Sequence, residues 1–334
     1  MKKTPRIDIE ELMKWQNKGK VMKKVIVTGG AGFLGAVLVE ELLKKDYEVW
    51  SIVRKGSEHN RRIERLIEQG GAVHIVFGQL DRLLSPICDL PKDCDYFFHL
   101  AWTGDPSVRS QDENIAGILQ AVELAEDCGC KRFIATGSQA EYGAVSPDIL
   151  MTEELPCYPV TAYGAAKVAA CHLSRVRARE LGMEWVWARI FSLIGKYEPR
   201  GRMLPDLYRA LCEGRTMELS SCEQNWDYLD AHDAAEALIA LAEKGHNGEI
   251  YNVANGAYRP LKEYTEELRR MVAPDATISY GGRAEPFISL QPSVEKLQQD
   301  TGWKPVRSFA ESIRDYDETQ QERPGQRTKR MSHM

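Results

Sequence analysis

The chain has 334 residues, with 44 basic and 49 acidic side chains and a net charge of −5 at pH 7. This length is enough for one large α/β unit or a main domain with a smaller lobe, and the slightly acidic balance argues against nucleic-acid binding. No apolar run reaches the ~20 residues of a membrane span, and the charged N-terminus lacks a signal-peptide core. The cysteines have no metal-site spacing, which indicates reduced thiols, no bound metal and a cytoplasmic protein.

A short buried strand is predicted at Lys24–Thr28, and the glycine-rich run Gly29–Gly35 (GGAGFLG) follows at once. The apolar pattern of 36–45 then predicts a helix. Strand, glycine turn and helix in this order are typical of a phosphate-binding loop, because glycines let the backbone approach a pyrophosphate and the helix N-terminus offers free N–H groups. The pattern predicts dinucleotide binding, and a purely structural glycine turn is the alternative.

The end of the second predicted strand indicates which dinucleotide is bound. In such folds an acidic residue at this place hydrogen-bonds the adenine ribose and excludes a 2′-phosphate. This chain has Arg54 and Lys55 there, with Ser57 close behind. Because no carboxylate repels the phosphate and two cations can receive it, the sequence favours NADP over NAD. In the alternative, Arg54 stacks on the adenine or points to solvent.

Further strands and helices alternate through the first half of the chain. Repeated βα units of this length predict an α/β fold, a doubly wound parallel (Rossmann) sheet covered on both faces. Ligands of such sheets bind beyond the carboxyl ends of the strands, where Thr136, Gly137 and Ser138 lie. The further strands are predicted at 48–53, 72–77, 96–100 and 132–136, with one of the helices at 114–127.

Tyr163 and Lys167 lie four residues apart in a predicted helix, so both side chains share one face. A free phenol has a pKa of about 10, and a neighbouring ammonium stabilises the phenolate and brings that pKa toward neutrality. The pair alone is weak evidence, since many helices carry Tyr and Lys at this spacing by chance.

The order of several motifs resembles the extended short-chain dehydrogenase/reductase family, from about Lys23 to about Ile313. The resemblance implies a nucleotide-diphosphate sugar as substrate, and GSQAEYG and HLAW look most like 4-keto-sugar reductases of the abequose-synthase type. The motifs are TGGAGFLG at 28–35, HLA at 99–101, Asn114 opening a helix, GSQAEYG at 137–143, YGAAK at 163–167, RIFSLIG at 189–195, YNV at 251–253 and GWKP at 302–305.

The resemblance also implies roles. Tyr163 would donate a proton to the substrate oxygen, and Ser138 would hydrogen-bond that oxygen. Lys167 would bind the nicotinamide ribose and lower the pKa of Tyr163, and Asn114 would organise a linking water. The alternatives are a strand cap for Ser138 and a helix N-cap for Asn114. Cofactor contacts are expected from Gly29, Gly32, Phe33, Leu34, Gly35, Arg54, Lys55, Gln79, Leu80, Leu100, Ala101, Tyr163 and Lys167.

The expected substrate side departs from the family pattern. Gln139 and Ala140 stand where dehydratases have an Asp-Glu pair, and neither can give or take a proton, so a 4,6-dehydratase is not expected. Arg283 matches a diphosphate-binding arginine or is a surface residue, and Trp226 stacks on a base or sugar or fills core. Substrate contacts are expected from Trp102, Ser138, Gln139, Ser192, Trp226 and Arg283.

The leading interpretation is an NADP-dependent reductase of a nucleotide-diphosphate 4-keto-hexose. The alternatives are an epimerase that retains NAD(P) and a non-catalytic NADP-sensing module. By resemblance, a homodimer would pair the helices around 114–127 and 162–181. The predicted segments are an N-terminal extension (1–21), a dinucleotide-binding domain (22–195, with 224–255 returning to it), a substrate lobe (196–223 and 256–316) and a disordered tail (317–334).

Overall fold

The computed structural model of the protein describes residues 22–85, 87–283 and 288–321, so the predicted extension at 1–21 lies outside it. Its strands, in chain order, are β1 Lys24–Thr28, β2 Glu48–Val53, β3 Val73–Phe77, β4 Tyr96–His99, β5 Arg132–Ser138, β6 Glu184–Ile190, β7 Ser192–Ile194, β8 Glu218–Leu219, β9 Asn225–Trp226, β10 Tyr228–Asp230, β11 Glu249–Val253, β12 Arg259–Pro260 and β13 Ser279–Tyr280. Its α-helices are α1 Phe33–Lys44, α2 Arg61–Glu68, α3 Val108–Asp127, α4 Ala162–Glu180, α5 Met203–Cys212, α6 Ala231–Lys244, α7 Leu261–Val272, α8 Glu295–Thr301 and α9 Phe309–Gln321.

A seven-stranded parallel sheet forms the centre, in the order β3-β2-β1-β4-β5-β6-β11. This order is the doubly wound arrangement with one strand added, which confirms the predicted fold class. The strands are nearly continuous apolar runs because helices cover both faces. One face packs on α1 and α6 and the other on α3 and α4, with separate apolar clusters on the two sides.

A smaller lobe stands over the carboxyl edge of the sheet. Its core contains Leu207 and Leu211 of α5, Leu268 of α7 and Ile313 of α9. Within the segment 224–255, β11 joins the main sheet by pairing with β6, whereas β10 pairs with β7 and β9 with β12 in separate two-stranded sheets.

Part of the lobe prediction was wrong. The segment 256–316 does not lie wholly in the lobe, because α8 packs against α6 and β11 of the main domain. Leu297 and Trp303 are buried in the main core, where the Trp303 indole donates to the Asp233 carbonyl oxygen over 3.1 Å. This burial of a large aromatic side chain explains why the chain returns to the sheet before α9 begins.

Two predicted bounds also need correction. Helix α3 begins at Val108, because the Ser107 hydroxyl caps it by accepting from the Ser110 amide. Asn114 therefore lies inside the helix and neither opens nor caps it. Helix α9 continues to Gln321, inside the segment predicted as a disordered tail, since Ile313 and Tyr316 anchor its preceding turns in the lobe core. The rest of that tail lies outside the described residues.

Candidate active site

The glycine turn after β1 is shaped by backbone contacts that no side chain permits. Gly29 has φ +73°, and a Cβ there would lie 2.8 Å from the Ala101 amide nitrogen. A Cβ on Gly35 would lie 2.1 Å from the Gly29 carbonyl oxygen. Gly32 is the N-cap of α1 and has no side chain to cap it, so the first N–H groups of the helix keep their donor capacity for a ligand.

Two neighbouring cavities open at the carboxyl edge of the sheet, and both include Gly29, Gly32, Leu100 and Trp102 in their walls. The larger, of about 590 Å³, reaches from the glycine turn to the lobe. We call it the central cavity. The smaller, of about 320 Å³, lies beyond the ends of β1, β2 and β3, and we call it the edge cavity. The glycine cradle between the two fits the pyrophosphate of a dinucleotide.

The edge cavity contains the residues that follow β2. Arg54, Ser57 and Asn60 lie in its wall, and no carboxylate belongs to that wall within the described chain. The Asn60 side chain donates to the Arg54 carbonyl oxygen over 2.9 Å, which fixes the turn. Its amide oxygen is buried without a hydrogen-bond partner, so this wall retains one acceptor for a ligand.

Ser138 and Tyr163 meet in the central cavity. Ser138 is the last residue of β5, and Tyr163 lies in the first turn of α4, which the Thr161 hydroxyl caps. Both side chains line this cavity, and Ser138 lowers the pKa of Tyr163 against the effect of burial. The Ser138 hydroxyl also accepts from the Ala140 amide over 3.2 Å, so the capping role and the cavity position occur together.

In this structure the net shift of the Tyr163 pKa is upward, not downward as Lys167 was expected to cause. Burial and the charge of Glu141 raise the pKa of Tyr163, and Ser138 and Arg202 partly offset this. The Lys167 ammonium instead donates to the Thr136 carbonyl oxygen over 2.7 Å and lies 3.5 Å from the centroid of the Trp102 ring. Burial lowers the pKa of Lys167 to about 7, against the attraction of Glu141.

Trp102 joins the parts of this site. Its ring packs edge to face against the Tyr163 ring, with 6.2 Å between the centroids. The Lys167 ammonium also lies over the Trp102 ring. The indole N–H donates to the Gln111 amide oxygen over 2.9 Å. Asn114 belongs to this network, accepting from the Thr103 amide over 2.8 Å and donating to Gln111. Asn114 thus stabilises the loop after β4 through hydrogen bonds and lines neither cavity.

A buried ion pair between Glu141 and Arg189 fixes the backbone at Ser138. The Glu141 carboxylate accepts from the Ser138 amide over 2.8 Å and from the Arg189 guanidinium over 2.7 Å. Arg189 also donates to the Tyr142 hydroxyl over 3.0 Å. Both charges are almost wholly buried, so removing one partner would leave the other uncompensated. Glu141 is committed to this network and is not part of the cavity wall.

The lobe side of the central cavity includes residues that the sequence motifs did not indicate. Glu198 and Tyr228 line it together with Arg202. Burial raises the pKa of Glu198 to about 7, while Tyr316 and Arg202 partly offset this. The one available signal was the charged run KYEPRGR at 196–202, which follows a buried strand at the ligand-binding edge.

The structure gathers most of the predicted site residues in the two cavities. Lys55 is exposed beyond the edge cavity, Arg283 is exposed in the lobe, and Asn114 is buried behind the loop, so these three do not join the walls. The central cavity takes Gly29, Gly32, Phe33, Leu34, Gly35, Leu100, Trp102, Ser138, Gln139, Tyr163, Lys167, Ser192 and Trp226, and the edge cavity takes Arg54, Gln79, Leu80 and Ala101.

Residues 25–254 match the sequence profile of the NAD dependent epimerase/dehydratase family, which is more than half of the chain. The chain belongs to this family. It is 25% identical to dTDP-glucose 4,6-dehydratase of Neisseria meningitidis, over 88% of this chain and 92% of that protein.

Two solved structures illustrate the shared fold of this family. The UDP-glucuronic acid 4-epimerase of Bacillus cereus in complex with NAD has a TM-score of 0.78 at 22% identity, covering 89% of this chain and 99% of that one. The protein RMD of Pseudomonas aeruginosa complexed with NADPH has a TM-score of 0.73 at 22% identity, covering 89% and 99%.

The described residues contain no cluster of side chains suited to holding a metal ion. Within the same part of the chain, each helix is too short or too polar to cross a membrane.

Proposed function

We propose that this protein is an NADPH-dependent reductase of a nucleotide-diphosphate 4-keto-hexose, of the abequose-synthase type, in which Tyr163 donates the proton. The observation that carries the proposal is the position of Tyr163 and Ser138 in one cavity that continues into the glycine cradle. A carbonyl oxygen held between these two hydroxyls lies next to the place where the fold receives the reactive end of a dinucleotide.

The proton chemistry follows from the environment of the two hydroxyls. When bound, the cofactor supplies a hydride, so negative charge grows on the carbonyl oxygen. Because burial raises the pKa of Tyr163, its phenol stays protonated at neutral pH and can give its proton to that oxygen. Ser138 donates a hydrogen bond to the same oxygen and orients it, and Glu141 holds the Ser138 backbone in place.

The preference for NADP rests on the edge cavity. Arg54 and Ser57 lie in its wall, and a carboxylate that would repel a 2′-phosphate is missing from the described wall. The structural neighbours named above are bound to NAD in one case and NADPH in the other, so family likeness alone favours neither. Lys55 is exposed outside the wall, so Arg54 carries this part of the proposal.

The substrate class is supported by the relatives and by the polar lobe side of the central cavity. Proteins similar to this chain are named for their action on dTDP-glucose and UDP-glucuronic acid. A 4,6-dehydratase is disfavoured, because Gln139 and Ala140 cannot transfer protons and the adjacent Glu141 is buried in its ion pair with Arg189.

A retaining epimerase is the second candidate, and the UDP-glucuronic acid 4-epimerase of similar fold favours it. The experiment supplies NADPH deuterated at the transferable position and a nucleotide-diphosphate 4-keto-6-deoxy-hexose. A reductase consumes NADPH stoichiometrically and places the deuterium on carbon 4 of the product, detected by NMR. An epimerase instead purifies with bound dinucleotide and converts a nucleotide sugar without net consumption, which would overturn the reductase proposal.

We also propose that the protein forms a homodimer through α3 and α4. Leu173 and Val176 are exposed and lie three residues apart on α4, so they share one face. The variant Leu173→Glu is expected to lower the mass measured by light scattering to that of one chain. An unchanged mass would contradict this interface.

A further inference from the structure

We propose that Glu198 reads the sugar: its carboxylate accepts a hydrogen bond from a hydroxyl of the sugar ring and thereby selects the hexose. This inference rests on the proposed function, because it assumes a nucleotide sugar in the central cavity. Glu198 is not part of the hydride and proton chemistry described above. It would be a specificity residue on the lobe side of that cavity.

The charge pattern of the cavity is the first support. Lys167 and Arg202 are its cationic wall residues, and Glu198 is the one carboxylate among the described residues that line it. The Glu198 side chain is only 3% exposed. A buried carboxylate beside a ligand cavity is costly unless it is hydrogen-bonded, and a sugar hydroxyl is the donor that the proposed substrate brings.

The turn that precedes Glu198 is strained, and several side-chain contacts stabilise it. Tyr197 has φ +68°, a left-handed conformation that is strained for a residue with a side chain. Its hydroxyl donates to the Glu40 carboxylate over 2.8 Å, and Lys196 binds the same carboxylate through both oxygens. The Tyr197 ring also lies 4.6 Å from the Arg62 guanidinium. These contacts from α1 and α2 stabilise the strained turn that points Glu198 into the cavity.

The carboxylate retains acceptor capacity. One oxygen accepts from the Tyr316 hydroxyl of α9, and the other is 4.0 Å from the Arg202 guanidinium, beyond a normal hydrogen bond. A carboxylate has about four acceptor sites. A further donor can therefore bind without displacing Tyr316.

A buried unpaired donor lies in the same wall. The Trp226 indole nitrogen is buried and has no hydrogen-bond partner, although Trp226 lines the cavity. The lobe side thus offers an acceptor at Glu198 and a donor at Trp226. Each ring hydroxyl of a hexose can both donate and accept, so this pairing suits a hydroxylated sugar better than an apolar group.

The groups around the Glu198 carboxylate, together with its burial, determine its pKa. Arg202 precedes α5, Tyr316 comes from α9, Tyr228 from β10, and the Gly195 backbone lies beside the carboxylate. Burial outweighs these partners and raises the pKa of Glu198 to about 7. The group is therefore mostly protonated at pH 6 and ionised at pH 8, and the ionised form is the stronger acceptor.

The test separates sugar binding from nucleotide binding. Calorimetry on the NADP-saturated protein compares UDP with UDP-glucose and dTDP with dTDP-glucose. The ratio of the two dissociation constants is the sugar increment. Glu198→Gln is expected to reduce this increment about tenfold while the affinity for the nucleotide diphosphate changes less than about twofold. Glu213→Gln, an exposed residue after α5, is the matched control and should change neither.

Two further readouts distinguish recognition from a structural role. In the unchanged protein the sugar increment should grow from pH 6 to pH 8, whereas in Glu198→Gln it should be flat. Tyr316→Phe removes the supporting hydroxyl but keeps the carboxylate, so it should retain most of the increment. An increment unaffected by Glu198→Gln would overturn the inference and leave the proposed function intact. Absence of any nucleotide-sugar binding by the unchanged protein would overturn both.

Discussion

The edge cavity and the lobe side of the central cavity are built in different ways. The edge cavity is formed by chain between 28 and 104, where strand ends and the glycines Gly29, Gly32, Gly78 and Gly104 lie in the wall. The lobe side is formed by side chains from separate segments, among them Ser192, Glu198, Trp226 and Tyr228. The first region is therefore sensitive to added atoms, and the second to changed polarity. Trp102 lies in the walls of both cavities, next to Tyr163 and Lys167.

The largest expected effect is a loss of turnover on substitution of Tyr163, next to Trp102, where the two cavities meet. Tyr163→Phe keeps the ring against Trp102 but removes the proton that the carbonyl oxygen needs. Turnover should fall by about a hundredfold to ten-thousandfold, while the dissociation constant for NADPH stays the same. Steady-state kinetics and calorimetry measure the two quantities. Tyr158→Phe, an exposed residue ahead of α4, is the control and should retain full turnover.

A normal rate in Tyr163→Phe would contradict the assignment of the proton donor. If the variant also kept its biological activity, the non-catalytic NADP-sensing alternative would gain support.

An added methyl group should damage the cofactor region next most. In Gly35→Ala the new Cβ would lie 2.1 Å from the Gly29 carbonyl oxygen, so the glycine turn must shift. Overpacking of about 1–3 kcal/mol at this point corresponds to a loss of NADPH affinity of about fivefold to 150-fold. Gly182→Ala is the control, because it has a positive φ but no atom within 4 Å of its new Cβ. Equal NADPH affinity in both variants would show that the turn is not the binding cradle.

The same contrast explains which parts of the fold and of the site could be predicted from the sequence. The glycine turn and the sheet were predictable because local patterns fix them: β1 and β2 have the predicted bounds, and the residues of the turn line the cavity. Asn114 was misplaced because the cap at Ser107 lies outside the apolar repeat that indicated α3. Glu198 was missed because its position depends on the contact of its neighbour Tyr197 with Glu40 and on its own contact with Tyr316, both distant in the chain.

A charge deletion sharpens the comparison within the edge cavity. Arg54→Ala removes the cation from its wall, whereas Lys55→Ala removes an exposed neighbour outside it. Loss of one charge-assisted contact to a 2′-phosphate should weaken NADPH binding about tenfold and leave NADH binding nearly unchanged. Lys55→Ala should affect neither. Fluorescence titration of both cofactors decides this, and an equal loss for NADPH and NADH in Arg54→Ala would argue for adenine stacking instead.

The smallest expected effect is a pH shift at the boundary. The Lys167 ammonium lies on the Trp102 ring, donates to Thr136 and is attracted by Glu141, while His99 is buried nearby. Burial lowers the pKa of Lys167 to about 7, so NADPH binding that uses the ammonium should weaken as the pH rises through 7.

Trp102→Leu removes the cation–π contact, which stabilises the charged form of Lys167 by about 0.5–2 kcal/mol. Its pKa then falls further, and the loss of NADPH affinity should begin about 0.4 to 1.5 units lower in pH. Trp102→Phe keeps a ring face and should shift the profile by less, while Lys167→Met should abolish the titration. Because Trp102 also lines both cavities, the position of the pH profile is the informative quantity, and absolute affinity is not. An identical profile in Trp102→Leu would mean that the indole supports the Lys167 charge no better than an aliphatic side chain does.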